Sequence, residues 1–291
     1  MDLGLQLPRF NFDEGPGAFA PGLARVARAA DEADFRSLWV MDHLFQIPTV
    51  GQPEEPMLEG YATLSFLAAQ TRKVRLGTMV TAVIYRQPGL LVKQVTTLDV
   101  LSGGRAIFGV GAGWYEHEAR GLGLPFPPLK ERFERLEETL QIAHHMWRGD
   151  LSPFTGRHYQ LERPLNSPPA ISTPHPPILV GGGGEQKTLR LVARYADACN
   201  LFSRIPRPDL IRKLDLLRQY CAEANRSYDA IEKTTLVAFD PSGSLDAVVD
   251  EVGSLRELGF QTAILSLRDI TRPDAVSAAA EAIRSQLVAR P

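Results

Sequence analysis

The sequence predicts a (β/α)8 barrel, and three observations carry the prediction. Short apolar runs recur from one end of the chain to the other, segments with helical spacing separate them, and 291 residues suit eight such units. Strands that alternate with amphipathic helices pair in parallel, because each helix is the crossover that returns the chain to the same end of the sheet.

The strand runs, in order, are LGLQL (3–7), SLWVMD (37–42), VRLGTMVT (74–81), AIFGVGAG (106–113), PILVGG (177–182), ACNLF (198–202), EKTTLVAF (232–239) and TAILSL (262–267). Between them, Phe133, Leu136, Leu140, Ala143 and Trp147 share one helix face, and Val276, Ala279, Ile283 and Leu287 share another. Two doubly wound domains are the rival organisation, with the Pro-rich stretch 151–177 as their linker. No change of composition separates the halves, so residues 1–291 are expected to form one barrel domain. Two long excursions, 43–59 after the second strand and 151–177 after the fourth helix, are expected as lids over the barrel mouth.

Composition narrows the function. With 44% hydrophobic and 23% charged residues the chain can bury a sizeable core and stay soluble. A net charge of −2 gives no general attraction to nucleic acid or a membrane surface, so a small-molecule substrate is expected. No stretch approaches the ~20 apolar residues of a membrane span. The opening MDLGLQLPRF is not a secretory signal, and Cys199 with Cys221 makes no disulfide framework, so the expected location is the cytosol.

In barrels of this kind the loops at the C-terminal ends of the strands build the active site. Gln6–Leu7, Asp42–His43, Gly77–Thr81, Gly109–Trp114 and Gly181–Gly184 should therefore surround one mouth. The run Gly181, Gly182, Gly183 and Gly184 leads straight into a helical pattern. Such a turn brings backbone N–H groups close to an anion while the helix points its positive end at it. Tight strand–helix packing is the alternative for these glycines, and for Gly109, Gly111 and Gly113. Two phosphate-loop motifs fail. A Walker A loop needs glycine directly before its lysine, and Gln186 precedes Lys187; a dinucleotide fingerprint needs glycine where Gln186 and Trp114 stand. No Cys or His stands at metal-ligand spacing, so no metal is expected.

Four stretches together resemble one family: WVMDHLF (39–45), LGTMVTAVIYRQPGLLVKQVTTLDVLSGGR (76–105), GVGAGWYEHEARGLGLPF (109–126) and PPILVGGGGEQKTLRLVARYADACN (176–200). They are similar to the luciferase-like flavin and deazaflavin oxidoreductases, over roughly the first 200 residues. The Asp42–His43 pair, LSGGR and GVGAGW resemble the branch that uses coenzyme F420 rather than the FMN monooxygenases. The resemblance implies a cofactor phosphate at the fifth strand–helix turn and the tricyclic ring in the mouth, against Gly111, Ala112 and Gly113. It also implies a non-prolyl cis peptide within Thr78–Met79–Val80 behind the ring, and a homodimer. An FMN enzyme of the family would instead need a partner flavin reductase, and a barrel that binds flavin without turnover is a third class.

His43 has the acid–base range to exchange protons near neutrality, and Asp42 could meet the ring edge. Glu116 could supply the proton that accompanies hydride transfer, although Glu116 and Glu118 also suit the start of a helix. Some relatives carry glutamate where this chain has Trp114, which points to an altered substrate pocket formed with Gln6 and Phe45. Lys187, Arg190, Arg86 and Arg204 are cations for a phosphate or an acidic tail, or solvated surface charges.

Overall fold

The computed structural model describes residues 1–12 and 14–289. Its elements run β1 (Asp2–Leu7), α1 (Phe19–Glu32), β2 (Ser37–Val40), α2 (Gly60–Gln70), β3 (Arg75–Thr78), β4 (Thr81–Ala82), α3 (Pro88–Ser102), β5 (Ala106–Gly111), α4 (Glu116–Gly121) and α5 (Leu129–Trp147). Then follow β6 (Phe154–Thr155), β7 (Gln160–Leu161), β8 (Ile178–Gly181), α6 (Thr188–Tyr195), β9 (Ala198–Phe202), α7 (Arg207–Glu223), β10 (Glu232–Phe239), α8 (Leu245–Glu257), β11 (Thr262–Leu267) and α9 (Pro273–Ala289). The parallel ladder passes from β1 through β2, β3, β5, β8, β9, β10 and β11, and β11 pairs back with β1. The sheet is therefore a closed eight-stranded parallel barrel with helices around it.

Two hydrophobic layers hold it. Outward-facing strand residues such as Leu5, Leu38, Leu76 and Phe108 pack against the helices, where Leu136, Leu140, Ala143, Val276, Ala279 and Ile283 are buried as their spacing requires. The side chain of Leu287 lies outside the described residues. A smaller cluster fills the barrel itself, with Trp39, Leu179, Ala198 and Ile264 at its centre. The Trp39 indole fits because glycine stands beside it: a Cβ on Gly77 would lie 2.7 Å from Cζ3, and one on Gly4 3.2 Å from Nε1. Trp39 Nε1 donates to Ser37 Oγ at 2.8 Å, so its one polar atom is paired.

Strand 3 departs from a plain run. The ladder stops at Thr78, the Met79–Val80 peptide bond is cis, and pairing resumes at Thr81–Ala82. Val80 then sits between two other strands, because a Cβ on either Gly111 or Gly181 would lie 2.8 Å from one of its methyl carbons.

The excursion 151–177 corrects an expectation. It does not lie across the mouth. It begins where α5 ends and finishes where β8 begins, both at the opposite end of the barrel, and it is strapped to the outer walls of α5 and α3. The buried Glu138 carboxylate accepts from the amides of Arg157, His158 and Tyr159 at 2.7 to 3.2 Å. The buried Asp99 carboxylate accepts from the amides of Ile171 and Ser172, each at 2.8 Å, and from Ser172 Oγ at 2.6 Å. Buried backbone needs such partners. The loop 43–59 is different, because it starts at the mouth. Gln46 Nε2 donates to Pro8 O at 3.0 Å, Arg9 donates to Val50 O, and Asn11 Nδ2 donates to Glu55 at 3.0 Å, which hold this loop against the one after β1.

Candidate functional site

Asp42 and His43 follow β2 directly and turn to opposite tasks. Asp42 is buried, and Arg86 binds it with both arms, Nη1 to Oδ2 at 2.7 Å and Nη2 to Oδ1 at 2.8 Å. The Ala82 amide donates to Oδ2 at 3.2 Å, and Arg86 also reaches Glu59. Burial pushes the Asp42 carboxyl up against the pull of Arg86. Burial alone would weaken the Arg86 guanidinium's hold on its proton, but Asp42 and Glu59 overcome this and raise it. Beside this pair runs a chain of hydroxyls. Thr78 Oγ1 donates to Gly109 O at 2.9 Å and lies 2.6 Å from Thr81 Oγ1, which is 2.8 Å from Tyr61 OH. Ion pair and hydroxyls together brace residues 78–82 on both sides of the cis bond.

His43 meets a carboxylate instead. Its Nδ1 lies 2.6 Å from Glu118 Oε1. Tyr85 OH donates to the same oxygen at 2.6 Å, while the amides of Leu44 and Phe45 donate to Oε2 at 2.6 and 3.1 Å. Burial works to raise the fully buried Glu118 carboxyl, but His43, Tyr85 and the Leu44 amide together hold it below its ordinary value. An ionised carboxylate only accepts, so His43 Nδ1 carries the proton of this bond, and Nε2 is the ring nitrogen that Glu118 leaves unengaged. Burial and the Glu118 charge push the Tyr85 phenol up, which keeps it a donor.

Aromatic rings surround this imidazole. His43 lies 5.5 Å from the Trp114 ring and 5.9 Å from that of Tyr115, edge-on to both. Trp114 and Tyr115 stack at 5.1 Å, and Arg132 of α5 reaches back to donate to Gly113 O. Phe45 packs on His117 at 5.8 Å. Gln6 is buried in β1, where Ser266 Oγ donates to its Oε1 at 2.8 Å. Ala112 and Met79 are half-buried in the same region.

At the end of β8 the four glycines form an open turn. Gly182 has φ +111°, which favours glycine, and a Cβ on Gly182 or Gly183 would meet nothing nearer than 3.7 Å. Among the described residues the amides of Gly182, Gly183 and Gly184 donate to no protein acceptor. Lys213 Nζ fixes the turn from below, donating to Gly183 O at 2.8 Å and pairing with Glu185 at 2.9 Å. Helix α6 starts four residues after Gly184. The residues present therefore fit an anion held by backbone N–H groups.

Placement separates the expected residues. Asp42, His43, Thr78, Met79, Val80 and Gly111–Trp114 gather at one end of the barrel with Gly181–Gly184. Glu116 does not join them; its exposed carboxylate pairs with Arg120 at 2.7 Å. Of the expected cations, Arg190 pairs with Glu223, Arg204 lies over the Phe202 ring, Lys187 lies over the Phe133 ring and Arg86 is committed to Asp42. The buried acid is Glu118, which the sequence offers only as a second helix-starting glutamate. One signal was available: it shares a helix face with Tyr115 and Ala119, both buried.

Sequence and fold together set this closed parallel barrel within a known family. The chain belongs to the luciferase-like monooxygenase family, whose model matches residues 1–284. It is similar to an F420-dependent glucose-6-phosphate dehydrogenase of Nakamurella multipartita, 35% identical over 192 residues, which are 65% of this chain and 54% of that protein. This chain thus spans about half the length of that relative. An uncharacterised protein of Mycobacterium tuberculosis is 29% identical over 268 residues, covering 87% of this chain and 90% of the other. In fold, the chain is similar to an F420-dependent secondary alcohol dehydrogenase solved with an F420–acetone adduct, at a TM-score of 0.82, 17% identity, and coverage of 97% and 99%.

Proposed function

We propose that the protein is an oxidoreductase that uses coenzyme F420 to move a hydride to or from a small organic substrate. One observation carries this: His43, fixed through Nδ1 on a buried carboxylate, shares a barrel mouth with a glycine turn whose amides at 182–184 have no acceptor among the described residues. The similarity to relatives named as F420-dependent supports the choice of cofactor. When bound, F420 supplies the hydride chemistry; the chain positions and protonates. Gly182, Gly183 and Gly184 would hold its phosphate, Val80 would back the ring, and His43 Nε2 would exchange the accompanying proton.

The family's description as monooxygenases favours a second reading, in which FMN occupies the mouth and a separate reductase supplies it. Fluorescence titration with each cofactor separates the two. Tight FMN binding with no response to F420 overturns the proposal. Binding of F420 without hydride exchange across alcohols, aldehydes and enones reduces the protein to a carrier. Gly182→Val should weaken F420 binding by at least about 10-fold while the helical circular dichroism is kept, because a branched side chain at φ +111° distorts the turn. His43→Ala with undiminished turnover would remove that residue from the mechanism.

A further inference from the structure

Five rings form an unbroken chain along one wall of the mouth. Phe45 touches His117 at 5.8 Å, His117 touches Tyr115 at 5.9 Å, Tyr115 stacks on Trp114 at 5.1 Å, and Trp114 meets His43 at 5.5 Å. Trp114 nonetheless remains 56% exposed. A large aromatic side chain left open beside an ionisable group, at the end of a run of ring contacts, is a surface suited to a stacking partner.

Charge says which partner. The loop 43–59 contains no lysine or arginine and carries Glu54, Glu55 and Glu59. Arg120 is tied to Glu116 at 2.7 Å, Arg86 to Asp42 at 2.7 Å, and Arg132 donates to Gly113 O. Arg9 pairs with Glu55 at 3.5 Å and Arg86 also with Glu59, so the arginines of this wall are committed to protein carboxylates or, for Arg132, to a carbonyl. Glu54, whose charge acts on Tyr115, has no such partner among the described residues, so an anionic group brought here would meet it or have to displace one of those bonds.

We propose that the substrate side of this site recognises a flat, uncharged, conjugated ring compound, which stacks on the exposed Trp114 with its reactive edge at His43. This deepens the oxidoreductase assignment and rests on it for which face of the site reacts. Stacking supplies affinity, and the prior commitment of the wall's arginines supplies selection against phosphates and carboxylates.

A matched pair of probes tests it: 2-acetylnaphthalene and 2-naphthoate, alike in shape and different in charge, titrated calorimetrically into the protein. The ketone should bind at least about ten-fold more tightly than the carboxylate, and Trp114→Ala should weaken the ketone by about ten-fold while Trp114→Phe keeps it within about three-fold. Equal affinity for the two probes, no binding of the ketone, or a Trp114→Ala protein that binds it unchanged would each overturn the proposal. A parallel F420 titration of the native protein keeps the two ideas apart. Ketone binding through Trp114 without F420 binding sinks the cofactor assignment alone, and F420 binding without ketone binding sinks the stacking platform alone.

Discussion

Glu118 and Glu138 are two buried glutamates that do the same job on two different loops, with different company. Each carboxylate gathers the backbone amides of a distant segment: Leu44 and Phe45 for Glu118, Arg157 to Tyr159 for Glu138. Around Glu138 the donors gathered are amides, so it acts as a pin that holds the hairpin β6–β7 against α5. Around Glu118 the set also includes an imidazole and a phenol. That addition converts a structural clamp into an orienting device, because the clamp now sets which nitrogen of His43 carries a proton. The lesson is that burial and hydrogen-bond count do not tell these two acids apart. The chemistry of their donors does.

The contrast can be broken most directly by the same substitution at both places. Glu118→Gln should lower turnover in a hydride-transfer assay by about 100-fold or more, because the amide must turn its N–H2 toward some of four donors and His43 loses its fixed tautomer. Glu138→Gln should leave turnover within about two-fold, since it touches nothing at the mouth, and lower the urea midpoint by a stability loss of about 1–3 kcal/mol. Equal losses of turnover in the two variants would dissolve the distinction.

Acid titration sharpens it further. Glu118 is held below the ordinary carboxylate value, so the stability it contributes is fully present above about pH 4.3 and is lost as pH falls through its lowered folded value. Stability of the native protein should therefore fall more steeply below about pH 4.3 than that of Glu118→Gln, read as denaturation midpoints on both sides of that window. Parallel curves would show that Glu118 is not the charged partner. The smallest effect is expected from Tyr85→Phe. Three donors remain on Glu118, so stability should fall by about 1 kcal/mol and turnover by a few-fold, measured by the same two assays. A loss as large as that of Glu118→Gln would make the phenol, not the imidazole, the central group.

Much of the architecture was legible residue by residue. The apolar runs at 3–7, 198–202, 232–239 and 262–267 match strands to within a residue, because strand and helix periods are local properties of the chain. The third run, 74–81, is continuous in its apolar pattern, whereas the ladder breaks after Thr78 and resumes at Thr81. The cis bond inside that break, Met79–Val80, is implied by the family resemblance and by no pattern in the residues. The site was half visible. His43 and the glycine turn announce themselves by type and position, but Glu118 and Glu116 look alike on paper. One is now buried among four donors, the other exposed beside Arg120.

Periodicity by itself determined that parallel strands alternate with helices along the whole chain, and glycine placement marked the turn after β8, because each rests on neighbours a few residues apart. Which acid meets His43, which cation is committed to Asp42 and where the 151–177 excursion lies were decided only by the tertiary structure. The partners His43 and Glu118 stand 75 residues apart, and their pairing depends on how β2, α4 and the loops between them are set side by side once the barrel has closed.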